Sequence, residues 1–179
     1  MDIINRMIRA AKLDSSLYEE VEKDTTATNQ ALLVVVIASI CAGIGQAIAG
    51  VGNMAMGLVT GLVTALVGWL IWSFLTYIIG TKVFKGPNTE ATYGQLLRCI
   101  GFSDTPGVLG IFAFIPALGP VIVFIAAIWS LVAMVIAVRQ ALDFSTGRAI
   151  ATCIVGFIVL IVIMAVVGGL GAGILGLGK

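Results

Sequence analysis

From Thr105 to Val138 the chain carries no charged residue. A helix crossing a bilayer takes about 20 residues, so this stretch is too long for one crossing and too short for two unless residues upstream are drawn in. Pro116 and Pro120 bracket a turn near its middle and break any single long helix there. Two spans follow, and the first must begin near Ala91 or Tyr93. Hydrophobic residues make up 60% of the 179 and charged residues only 11%. With a mean hydropathy of +1.14, that balance describes a polytopic membrane protein and not a soluble core.

The expected fold is all-α, a five-transmembrane-helix bundle with an N-terminal amphipathic helix. The spans fall at about residues 30–50, 57–80, 93–116, 120–138 and 150–169. A charged N-terminal segment, residues 1–29, precedes a membrane domain of residues 30–179. In the second span Gly57 and Gly61 have GxxxG spacing, which permits close helix approach. Trp69 and Trp72 share a face at mid-membrane depth and are read as packing. A polar connection follows, in which Asn88 or Thr89 is placed to cap the third span.

Before the first span, Asp2 to Leu13 sets Ile3, Ile4, Met7, Ile8 and Ala11 at helical spacing, with Arg6, Arg9 and Lys12 on other faces. Such a helix suits an anionic membrane surface, its apolar side down and Arg6, Arg9 and Lys12 forming a basic face toward headgroups. The competing reading is a helix packed on its own membrane domain. Ser16 and Glu19 form a capping box for a second helix, whose acidic residues read as a solvated face. No cleavage-site pattern marks a removable signal peptide.

With five spans, every basic residue except Lys179 falls on one side of the membrane, and the positive-inside rule makes that side cytoplasmic. The amino terminus is then inside and the carboxyl terminus outside, in the cytoplasmic membrane if the source is prokaryotic. Four spans would strand Arg139 and Arg148 outside.

Asp104 is the residue to explain. It sits within the hydrocarbon, where an ionisable group is costly, and Pro106 two residues later breaks or kinks the third helix. Arg98 lies toward the interface, Arg139 ends the fourth span and Asp143 follows it. These four form a candidate polar cluster, with Asp104 paired to Arg98 or Arg139, either as a structural clasp or as a site for a lipid headgroup, a proton or a partner.

Little else suggests chemistry. His is absent, which removes the commonest general base and metal ligand. Cys41, Cys99 and Cys153 form no CxxC pair and read as inert buried thiols. Gly171, Gly173 and Gly176 spell GxGxxG, but no strand precedes them and no helix has room to follow, so no dinucleotide site is expected. No catalytic residue, metal or cofactor is expected, and a net charge of +1 gives no pull toward nucleic acid.

The blocks YGQLLRCIGFSDTPGVLG, IPALG and AVRQALDFSTGRAI, with five spans behind a charged amino terminus, resemble the Yip domain family, the Ypt/Rab-interacting-protein membrane domain. The likeness is closest to its prokaryotic branch and runs from about Met1 to Phe157. Eukaryotic members are linked to Rab GTPases and to shaping or trafficking of early secretory membranes. Their Asp-Leu-Tyr-Gly-Pro segment is absent here, so Rab binding does not carry over. The resemblance implies a non-enzymatic membrane-organising or adaptor protein, in contact with the lipid bilayer, including anionic lipids, and with a protein partner or a second copy of itself. An accessory subunit of a larger membrane complex, or a small transporter or channel using Asp104, are the alternatives.

Overall fold

A computed structural model describes residues 2–50, 52–86 and 89–174, with side chains to Val166. Two short helices come first, α1 (Ile3–Ala11) and α2 (Ser15–Lys23), followed by α3 (Ala27–Ile48) and α4 (Met54–Ile78). The chain continues through α5 (Tyr93–Ser103), α6 (Leu118–Ala141) and α7 (Thr146–Ile174). Five helical stretches are long and apolar enough to cross a membrane: Ala27–Ile48, Met54–Val83, Tyr93–Phe114, Leu118–Ala141 and Thr146–Val166. Their outer faces carry exposed Val59, Val63, Phe124, Ile125, Ile158 and Ile161, an apolar surface that hydrocarbon, and not water, can cover.

The third span is broken where the sequence places Asp104. α5 ends at Ser103, and Thr105–Phe114 continues as a 3-10 helix of 10 residues with Pro106 in its first turn. Runs of that geometry rarely exceed four residues. Packing holds this one. Small residues of α3 let the two backbones meet: a Cβ on Gly45 would lie 2.2 Å from the Gly110 carbonyl oxygen, and one on Gly110 would lie 2.9 Å from the Ala42 Cα. Ser103 and Thr105 do not recap the broken helix; their hydroxyls donate back to the carbonyls of Ile100 and Phe102. α5 and the 3-10 segment together are the most enclosed of the five spans.

Several local expectations are corrected. Thr92, with Gln95 in a full capping box, starts α5, while Asn88 lies outside the described residues. Asp14, accepting from the Ser16 N–H, caps α2 in place of Ser16. The reason is the same in both: the residue adjoining the first turn reaches the orphan N–H groups. No atom of the described residues lies within 4 Å of where a Cβ on Gly57 or Gly61 would sit, so among the described residues that GxxxG spacing brings no helix into contact. The last glycine of the tail motif, Gly176, is outside the described residues.

Candidate functional site

The N-terminal helices are folded onto one end of the bundle. α2 buries Leu17, Tyr18 and Val21 against Leu96, Cys99 and the end of α6. Arg98, itself buried, donates from Nε to the Val21 carbonyl at 2.8 Å and from a terminal nitrogen to the Glu22 carbonyl. Those are carbonyls of the last turn of α2, which have no partner within their own helix. Gln95 Nε2 donates to Glu22 at 2.9 Å, and Gln140 Nε2 to Glu19 at 2.7 Å. Polar residues at the ends of two spans thus hold the acidic face of α2.

α1 packs with its basic face against α2 and the start of α3. Arg6 is only 4% exposed and pairs with Glu20 at 2.8 Å and Asp24 at 2.6 Å, while also donating to Gln30. Arg9 pairs with Asp14 at 2.7 Å and Glu20 at 2.6 Å. The two arginines expected to face headgroups are therefore engaged by the acidic residues expected to be solvated; of the three, Lys12 is exposed. A buried guanidinium needs such partners, and α2 supplies them one turn apart. Ile4 and Ile8 face outward instead, 63% and 50% exposed.

The electrostatics follow. Hydrogen bonds from the Ser16 hydroxyl and Arg9 pull the Asp14 carboxyl down to about 2, and those from Thr26 and Arg6 do the same for Asp24. Burial pushes Glu20 up, but its bonds from Arg9 and Arg6 outweigh that and lower it. Glu22 is raised, by burial first and then by the nearby negative charge of Asp143. The Tyr18 hydroxyl, fully buried and without a partner among the described residues, is raised by burial.

The four residues of the expected cluster do not converge. Arg98 points to α2, Arg139 donates to its neighbour Gln140 at 3.1 Å, and Asp143 is exposed beyond α6 at a positive φ of 50°. Among the described residues the Asp104 side chain makes no ion pair or hydrogen bond. Arg98 is engaged by carbonyls at the end of α2 that have no partner within their own helix. Asp104 instead borders a cavity of about 570 Å³ between α3, α4, α5, α6 and α7, with Trp69, Trp72 and Phe157 on its walls. Trp69 is fixed by donating to the Leu97 carbonyl at 2.9 Å, and Trp72 lies 4.4 Å from Phe157, centroid to centroid.

One contact had no sequence signal. Trp129 Nε1, midway along α6, donates to the Ala11 carbonyl at 2.9 Å. Trp129 is about 15 Å along α6 from Arg139 at ~1.5 Å per residue, so the end of α1 is drawn down the flank of the bundle. A lone Trp in an apolar span reads as lipid-facing or core, and nothing in its spacing names a carbonyl far away in the chain.

A family model for the Yip1 domain matches residues 15–168. The chain belongs to the Yip1 domain family. Yip1 domain proteins are membrane proteins, in accord with the five apolar helices, and as a family are generally not enzymatic. The match begins at the first residue of α2 and takes in all five spans; α1 lies before it. No curated protein and no solved structure matches the chain.

Proposed function

We propose that this Yip1 domain protein organises the membrane through its N-terminal helices, which form a fixed adaptor face on the cytoplasmic end of the bundle. The observation that carries the reading is the Trp129–Ala11 hydrogen bond, together with the outward Ile4 and Ile8. A helix held beside the apolar flank of α6, with two large aliphatic side chains free, inserts into one leaflet. Insertion on one side only expands that leaflet and favours curvature. Exposed basic groups, Lys12 and Lys23 among them, are left to meet anionic lipids, a protein partner or a second copy. The positive-inside rule supports an amino terminus in the cytoplasm and a carboxyl terminus outside.

Reconstitution into large vesicles at rising protein-to-lipid ratio tests this. The intact protein is expected to convert them to tubules or small vesicles seen by electron microscopy. The double variant Ile4→Asp, Ile8→Asp, with an unchanged elution profile, is expected to leave them large. Vesicles that keep their shape at every loading of the intact protein would overturn the proposal.

A further inference from the structure

The cavity beside Asp104 has a composition that selects its occupant. At about 570 Å³ it is within the range of small-molecule sites, which span roughly 300–1,000 Å³. Its walls are mostly apolar, with Trp69, Trp72 and Phe157, the hydroxyl-bearing Ser103 and Ser130, and one acidic residue, Asp104, among the lining residues. The carboxylate lies over Gly107 and level with Ala38: a Cβ on Gly107 would be 3.3 Å from Asp104 Oδ1 and 3.3 Å from the Ala38 Cβ. That depth is well inside α3, and neither Arg98 nor Arg139 reaches it. The Trp72 N–H is buried with no acceptor among the described residues; as a donor it does not itself call for a cation.

A carboxyl away from water takes up a proton unless a cation meets it, and the described residues of this chain supply no such cation. Aromatic faces attract positive charge as well, most strongly indoles. We infer that the cavity between α3, α4, α5, α6 and α7 binds a lipophilic organic cation, its ammonium group against Asp104 and the indoles of Trp69 and Trp72, its hydrocarbon tail along the apolar walls. A hydrated metal ion fits poorly, because one carboxylate and a few hydroxyls offer too few oxygen ligands. A phosphate-bearing headgroup fits poorly too, since the cavity holds no cation to meet the phosphate. No residue of α1 lines the cavity, and the site stands or falls independently of the membrane-organising role.

The test compares two probes on the full chain in a neutral detergent. A nitroxide-labelled dodecylammonium and the equally labelled uncharged dodecanol are titrated against tryptophan fluorescence in the Trp129→Phe background, where Trp69 and Trp72 are the emitters. The ammonium probe is expected to quench at a concentration about tenfold or more below the alcohol, the scale of one charge contact in a dry site. Asp104→Asn is expected to abolish that preference, and Asp104→Glu to retain it. Equal midpoints for the two probes on the Asp104 protein would overturn the inference, and that comparison needs no folded Asn variant. An ammonium preference that survives Asp104→Asn would overturn it as well.

Discussion

Arg98 donates to the carbonyl of Val21, 2.8 Å away across the junction of α5 and α2, and not to Asp104 further along its own span. The one buried arginine of the third span is thereby spent on fastening the N-terminal helices, while the one carboxylate of that span faces a cavity.

Arg98→Leu keeps the aliphatic bulk but strands the carbonyls of Val21 and Glu22. Each buried carbonyl without a partner costs about 1–3 kcal/mol, so thermal unfolding in detergent is expected to shift down by several degrees. Arg98→Lys, with one ammonium for two acceptors, is expected to fall between. A melting temperature unchanged in Arg98→Leu would mean that the α2 contact adds nothing to stability.

Arg6 has a stricter prediction. It is nearly enclosed and holds two carboxylates of α2 at once; its removal leaves Glu20 and Asp24 facing each other without it. Arg6→Ala is expected to cost about 1–3 kcal/mol, below the value for a fully buried pair because both carboxylates are partly solvated. A double-mutant cycle with Asp24→Asn separates pairing from packing, and additive losses would deny the ion pair any coupling.

Acid is expected to loosen the same junction. Asp14 and Asp24 are both held near 2, below the ~3.9 of a free Asp. Groups with a depressed folded value stabilise fully above the unfolded value and lose that contribution as pH falls through the folded one. Amide exchange in residues 3–24, corrected for its intrinsic pH dependence, should therefore stay slow down to about pH 4 and accelerate between about 4 and 2. Acceleration already at pH 6 would contradict this assignment.

Glycines divide sharply by position. Gly110→Ala drives a methyl into the Ala42 backbone and is expected to destabilise by at least the 1–3 kcal/mol of an overpacked core. Gly57→Ala meets no atom within 4 Å and gains up to about 1 kcal/mol of helix propensity. The two melting temperatures should move in opposite directions. A comparable fall for Gly57→Ala would show instead that this face is covered.

Span number and approximate limits could be read from the sequence because they follow from local composition: 20 apolar residues need a bilayer whatever else they touch. The break at Asp104–Pro106 was visible for the same reason, since a proline acts on its own turn. Side-chain partners were not visible. Arg6 and Arg9 have amphipathic spacing that fits a membrane surface, and only the fold shows that α2 brings Glu20 and Asp24 beneath them. Asp104 stands out in the sequence by its depth alone, but only the fold shows that Arg98 and Arg139 bond elsewhere. Trp129 and Ala11 meet across more than half the chain, and no periodicity encodes that.

The 3-10 segment also acts as a ruler. At ~2 Å per residue its 10 residues reach about 20 Å, where an α-helix of equal length would reach about 15 Å. Rewinding to α would pull the Ala117 turn roughly 5 Å inward, and the close fit of Gly110 on Ala42 and Gly45 resists that slide. The third span thus has a hydrophobic length set by backbone contact more than by residue count. In bilayers of different thickness, the lipid next to this hairpin must adjust to the protein.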